Sequence, residues 1–219
     1  MTSVARAGAP GRRLGVLISG RGSNLQSIID AVAEGRLDAE IAVVMSNRPA
    51  AFGLERARAA GIPTAVLEHR AWPSRDAYDE ALAQALQAQR VDYVCLAGFM
   101  RLIGPALLNA FPDRILNIHP SLLPAFPGVD AQAQAVAHGV RVSGATVHLV
   151  DAGLDSGPIV AQRAVPVSPT DTADTLSARI LDAEHRLYPE ALATILAGGW
   201  RIEGRRLILP PTAARPDVV

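Results

Sequence analysis

The chain has 219 residues, 49% hydrophobic and 19% charged, enough to bury a substantial core in one large domain or two small ones. Its 21 basic residues, all arginine, balance 21 acidic ones and are scattered, which leaves no basic stripe of the kind nucleic acid requires. No apolar stretch is long enough to cross a bilayer, residues 1–13 lack the apolar segment of a secretory signal, and the single Cys95 sits as a buried, inert thiol inside VDYVCLAGF; a disulfide-free cytoplasmic protein is expected.

RLGVLIS (13–19) predicts a first strand, followed by a glycine turn and a helix with apolar residues at Leu25, Ile28, Ile29 and Val32. IAVVMS (41–46) predicts a second strand, FGLERARAA a helix and TAVL (64–67) a third strand. Ser74 then opens a helix whose Tyr78, Ala81, Leu82, Ala85 and Leu86 form one apolar stripe. VDYVCLA (91–97) and RILNI (114–118) are two more buried strands. This alternation argues for an α/β fold, a Rossmann-like three-layer sandwich with a mostly parallel central sheet and helices on both faces. Past Gly139, RVSGATVHLV and PIVAQRAVPV, joined by the acidic turn DAGLDSG, predict mixed or antiparallel strands that extend the sheet. A last helix spans about Thr172 to Ala197, with a kink at Pro189 left open, and a WRIEGRRLIL hairpin closes a single domain over 13–208 between flexible tails at 1–12 and 209–219.

Ligands of such sheets sit outside the carboxyl ends of the strands, which gathers the Gly20–Asn24 turn, the Gly98–Arg101 turn and the Asn117–Pro120 loop on one edge. In SGRGSN (19–24) the glycines permit a tight bend, so the amides of Gly22, Ser23 and Asn24 can face an anion at the positive end of the helix. A bare tight turn is the competing explanation. A dinucleotide site is disfavoured because Leu25 stands at the third glycine position and strand two ends in Ser46 and Asn47, and a triphosphate loop would need a lysine; a monophosphate fits better.

The segment NIHPSLLPAFPG (117–128) carries prolines at 120, 124 and 127, and reads as a stiff, irregular loop. Asn117 and His119 lie two apart at a strand end and point to one side, with Ile118 turned into the core. The glycines of DAGLDSGP can bring Asp155 toward His119. An imidazole, a carboxylate and an amide donor together could stabilise a tetrahedral oxyanion at an acyl carbon while moving a proton, with an amine as attacker. Singly, each has a simpler explanation: a turn former, a satisfied histidine, a turn cap. Glu184 falls on the apolar face of the last helix, where it must meet either an arginine or a ligand's hydroxyls.

Taken in order, LISGRGSNLQSIIDA, VVMSNRPAAFGLERARAAGIP, LAGFMRLI, LNIHPSLLPAFPG, TVHLVDAGLDSGPIVAQ and EHRLYPEAL resemble the formyltetrahydrofolate-using formyltransferases over about Leu14 to Leu207. SGRGSN with EHRLYPE narrows the resemblance to the glycinamide ribonucleotide branch of purine synthesis. The resemblance implies direct formyl transfer from 10-formyltetrahydrofolate, as co-substrate, to the amine of glycinamide ribonucleotide. By the same resemblance Asn117, His119 and Asp155 match the catalytic trio, Gly22, Ser23 and Asn24 the phosphate turn, and Glu184 the acid that binds the ribose hydroxyls. Met100, Arg101, Leu102, Ile103, Asn117 and Asp151 match the folate pocket, with Arg75 near the glutamate tail and His148 as supporting structure. Asp130 and Ala133 depart from residues that many relatives carry as His and Arg.

Three rivals share parts of this pattern. A formyltetrahydrofolate hydrolase has the same loop and trio but is expected to carry an extra N-terminal domain. Methionyl-tRNA formyltransferase is expected to add a basic C-terminal barrel, and a non-catalytic folate or nucleotide-binding module would leave the trio unexplained. The five histidines lack ligand-like pairing, so the reaction is expected to need no metal, and the partners to be small molecules only, with no nucleic acid or membrane, in a monomer or homodimer.

Overall fold

The computed structural model describes residues 12–211. Apart from residues 12 and 209–211, the tails expected at 1–12 and 209–219 lie outside the described residues. The first strand, β1 (Arg13–Ile18), is buried from Leu14 onward because strands flank it on both edges and helices cover both faces. It pairs in parallel with β2 (Glu40–Ser46) on one side and β4 (Tyr93–Leu96) on the other. Beyond β2 lies β3 (Thr64–Val66), and beyond β4 lies β5 (Ile115–His119), both parallel. The sheet then turns antiparallel through β6 (Val142–Leu149) and β7 (Ile159–Pro166). The closing hairpin of β8 (Arg201–Glu203) and β9 (Arg206–Ile208) joins it by one parallel pairing, Ile159 with Arg206, giving nine strands among the described residues in the order β3-β2-β1-β4-β5-β6-β7-β9-β8.

Among the described residues six α-helices make the outer layers of a Rossmann-like sandwich: α1 (Ser23–Ala33), α2 (Gly53–Ala59), α3 (Arg75–Ala88), α4 (Pro105–Ala110), α5 (Ala131–Ala137) and α6 (Ala173–Leu196). Leu14, Val16 and Ile18 of β1 pack with Leu25 and Ile28 of α1, Leu54 of α2, Ala135 of α5 and Leu187 of α6. Leu17 faces the other way, into a core with Tyr78, Leu82 and Leu86 of α3 and Leu107 of α4. Alternation along one strand therefore sorts the helices to opposite faces. Helix starts follow their caps. The Ser74 hydroxyl accepts from the Ala77 amide at 3.1 Å, and Thr172 and Thr175 form a reciprocal box at 3.2 and 2.9 Å. The last helix runs unbroken as one element through Pro189, which removes one amide donor from its ladder.

Two readings need correction. Asn117 to His119 are not part of an irregular loop: they belong to β5, and irregular chain begins at Pro120. The periodicity reading also passed over α4 and α5, which at six and seven residues are too short to show a repeat.

Candidate active site

The strand order reverses between β1 and β4, so the crevice outside their carboxyl ends is where an open α/β sheet takes a ligand. Ser19, just past β1, ties the neighbouring strand ends together there. Its amide donates to the Gly98 carbonyl at 3.1 Å, its hydroxyl donates to Asn47 Oδ1 at 2.6 Å, and the Met100 amide donates to that hydroxyl at 2.9 Å. The next turn ends at Gly22, in the left-handed region at φ 70°, which caps α1 without any side-chain hydrogen bond. The first amides of α1 thus lack intrahelical and side-chain acceptors at the positive end of an eleven-residue helix, an arrangement that suits an anion.

Across the crevice, β5 and β6 set four polar side chains together. Antiparallel register places Asn117 opposite His148, and Ile118 between Asn117 and His119 is buried in the core, as the spacing predicts. His119 Nε2 lies 2.8 Å from the Phe126 carbonyl, and His148 Nδ1 lies 3.0 Å from the Leu149 carbonyl. Carbonyls only accept, so those two nitrogens carry hydrogens and the opposite ring nitrogens face the site. His119 Nδ1 then stands 3.4 Å from Asp155 Oδ2, and His148 Nε2 stands 3.7 Å from Asp155 Oδ1. Asn117 Nδ2 lies 3.2 Å from His148 Nε2, a contact in which the amide donates one hydrogen when the imidazole is neutral and keeps the other free.

Asp155 sits at φ 49°, a left-handed conformation that aspartate tolerates, and the Gly128 amide donates to its Oδ2 at 2.8 Å. Burial would raise its pKa, but the His148 contact, the Gly128 amide and the charges of His119 and His148 outweigh that and hold it below the usual carboxylate range. The loop from Pro120 to Gly128 is fixed by more than prolines: Thr146 Oγ1 donates to the Ser121 carbonyl at 2.6 Å and accepts from the Leu123 amide at 3.0 Å, and Gln162 Nε2 donates to the Leu123 carbonyl at 2.8 Å.

Among the described residues Glu184 meets no arginine. Its Oε2 accepts from Asn24 Nδ2 at 2.8 Å, and burial raises its pKa from 4.5 to about 7 despite that bond. Among the described residues Asn24 Oδ1 is buried without a partner, so α1 and α6 present an amide oxygen and a carboxyl group beside the Gly20–Asn24 turn. One turn along, the Tyr188 hydroxyl lies 3.1 Å from the carbonyls of both Leu96 and Leu116 and fastens α6 beneath β4 and β5. Cys95 is fully buried, with its thiol pushed up to about 12 by burial.

The residues matched to a folate pocket are less uniform. Met100 and Leu102 are exposed apolar side chains at the crevice, at 65% and 58%, while Ile103 packs on the second core. The Arg101 guanidinium turns inward over the Tyr78 ring at 4.8 Å, and Arg75 Nε lies 3.9 Å from the buried Asp79. Asp151 accepts from the Gly153 amide at 3.0 Å and from the Ser156 hydroxyl at 2.7 Å, so its carboxylate shapes the turn that carries Asp155. Asp130 and Ala133 stand at the start of α5, Asp130 as its N-cap. His148, expected as supporting structure, contacts both Asn117 and Asp155, while Ser19, Phe126, Gly128 and the pairing of Asn24 with Glu184 have no counterpart in the sequence expectation. Among the described residues no three His, Cys, Asp or Glu side chains are grouped to hold a metal ion, and no helix is long and apolar enough to cross a membrane.

Comparison with known proteins gives a consistent result. The formyl transferase family model matches residues 12–192. The trifunctional purine biosynthetic protein adenosine-3 of Drosophila pseudoobscura pseudoobscura is 48% identical over 194 residues, which is 88% of this chain and 14% of that protein, so the chain spans about one seventh of that relative's length. The phosphoribosylglycinamide formyltransferase of Escherichia coli (strain K12) is 45% identical over 210 residues, covering 92% of this chain and 98% of that one. Among solved structures, glycinamide ribonucleotide transformylase 1 from Symbiobacterium toebii superposes with a TM-score of 0.90 at 57% identity, over 91% of this chain and 94% of that chain.

Proposed function

The chain belongs to the formyl transferase family, and on that premise we propose that it transfers the formyl group of 10-formyltetrahydrofolate to the amine of N1-(5-phosphoribosyl)glycinamide, in purine biosynthesis. The products are formylglycinamide ribonucleotide and tetrahydrofolate. The observation that carries this reading is the placement of Asp155 between His119 Nδ1 and His148 Nε2, at 3.4 and 3.7 Å, with Asn117 alongside and a phosphate-ready turn on the same sheet edge.

In this reading the amine nitrogen attacks the formyl carbon and the carbonyl electrons move onto oxygen. The free Asn117 amide hydrogen and a protonated His119 Nδ1 are the donors for that oxyanion. His119 already gives its Nε2 hydrogen to Phe126, so donation at Nδ1 requires the doubly protonated ring, with the Asp155 carboxylate 3.4 Å away. Asp155, ionised at neutral pH, accepts the proton the amine sheds and passes it to the folate nitrogen, which leaves as an amine, so charge and hydrogen balance. His148 acts on Asn117, fixing the amide so that its second hydrogen faces the crevice. Glu184 and Asn24 would take the ribose hydroxyls, and the amides of Gly22, Ser23 and Asn24 the phosphate. Met100, Leu102 and the backbone of residues 98–103 and 151–155 would line the folate slot.

Water in place of the amine would make the same trio a hydrolase; the relatives named for the ribonucleotide weigh for the amine. We further read residues 13–208 as one catalytic domain in a cytoplasmic monomer or homodimer. The transfer is read as metal-free because Asn117 and His119 supply the oxyanion donors. The test is formyl consumption followed spectrophotometrically, with and without the ribonucleotide, for wild type and Asp155→Asn. Loss of the base is expected to lower kcat by about 100- to 10,000-fold. Consumption that ignores the ribonucleotide, a variant that keeps its activity, or activity that returns only on adding metal after chelation would each defeat the corresponding part of the reading.

A further inference from the structure

Arg56, on α2, has no part in the transfer derived above, yet its contacts brace the phosphate turn from outside. Its Nε donates to the Arg21 carbonyl at 3.0 Å, its Nη1 donates to Gln26 Oε1 at 3.2 Å, and its guanidinium lies 5.1 Å over the Phe52 ring. The backbone contact beneath is equally tight. The Gly53 amide donates to the Gly20 carbonyl at 3.0 Å, and a Cβ on Gly22 would run into the Gly53 Cα at 2.6 Å, while one on Gly53 would meet Ile18 Cδ1 at 2.5 Å and crowd the Gly22 Cα at 3.1 Å. An open cavity of about 320 Å³ adjoins the turn, and Ser23, Gln26, Arg56 and His185 line it together.

A turn with glycines at 20 and 22 has wide conformational freedom, and its amides could bind an anion well only after that freedom is lost. The Arg56 fork grips the turn at the Arg21 carbonyl and the first helical turn at Gln26, and so removes the freedom before the ligand arrives. We propose that Arg56 is a positioning residue that pre-sets the Gly20–Asn24 turn for a phosphate monoester, so that preference for the phosphorylated amine substrate depends on a side chain outside the turn. The proposal rests on the phosphate reading of that turn.

The experiment compares wild type, Arg56→Ala and Arg56→Lys, as full chains, on the ribonucleotide and on its dephosphorylated riboside. Arg56→Ala is expected to raise KM for the ribonucleotide by about 10- to 100-fold, the scale of one or two hydrogen bonds to a charged group. Its kcat, its KM for 10-formyltetrahydrofolate and its kcat/KM for the riboside should stay at wild-type values. Arg56→Lys keeps the charge without the two-point fork and should remain impaired. Equal losses on both amine substrates, an unmoved KM for the ribonucleotide, or full recovery with lysine would overturn the proposal. A wild-type enzyme indifferent to the phosphate would instead overturn the phosphate reading of the turn, and the role of Arg56 with it.

Discussion

Replacing Glu184 by glutamine removes a carboxyl group that α6 buries beside α1, and the consequence depends on pH. Burial raises its pKa from 4.5 to about 7, with the Asn24 hydrogen bond pulling the other way. The folded chain therefore holds this proton more tightly than the unfolded chain does. Where two states differ in bound protons, raising pH favours the state that binds fewer, so this group's contribution is fully present below pH 4.5 and is lost as pH rises through about 7. The difference between 4.5 and about 7, at 1.36 kcal/mol per unit, makes that loss about 3 kcal/mol. Urea unfolding of wild type and Glu184→Gln at about pH 4.5 and about pH 8 reads it directly, because glutamine has no proton to lose. Wild type should lose about 3 kcal/mol relative to the variant across that interval, and parallel pH profiles would refute the reasoning. If Glu184 takes the ribose hydroxyls as proposed, those donors favour the carboxylate, and KM for the ribonucleotide should also fall as pH rises through about 7 in wild type but not in the variant.

Tyr188→Phe removes the hydroxyl that lies 3.1 Å from both the Leu96 and Leu116 carbonyls; the urea midpoint should report a loss of about 1–3 kcal/mol, and an unshifted midpoint would show that the clamp contributes nothing. Gly157→Ala places a Cβ into the Leu149 backbone carbonyl, which has no side-chain freedom to yield. A cost of about 1–3 kcal/mol is expected in a thermal melt, with a fall in kcat because the displaced turn carries Asp155; a normal kcat would argue that the turn is not held from Gly157.

β1, β2, β4 and β5 could be read as short apolar runs because strands buried on both faces have no solvent side to alternate with. Helices α3 and α6 announced themselves through Ser74 and Thr172, whose hydroxyls do cap them. By contrast α4 and α5 span fewer than two full turns, and only local chemistry could have found them: proline at the first position of α4, and the alanines of α5. The attachment of β9 to β7 rests on one pairing between residues 159 and 206, for which no local signal exists.

The candidate site divides along the same line. Asn117 and His119 follow from strand periodicity alone, since two residues apart means one face. The part played by His148 depends on which residue of β6 lies opposite Asn117, and that is a matter of register. A slip of one residue would carry His148 to the other face, away from Asp155, while leaving both strands equally plausible as sequences. Asp155 likewise reaches the imidazoles because the Gly128 amide, 27 residues earlier, catches its carboxylate, and Glu184 finds its amide on a helix 160 residues upstream. The sequence carries the chemical identity of each group, while its protonation is set by neighbours that only the pairing of β5 with β6 and the docking of α6 on α1 supply. That is why Asp155 and Glu184, two carboxylates of the candidate site, are shifted in opposite directions: one is surrounded by imidazoles and an amide donor, the other by apolar helix faces and a single amide.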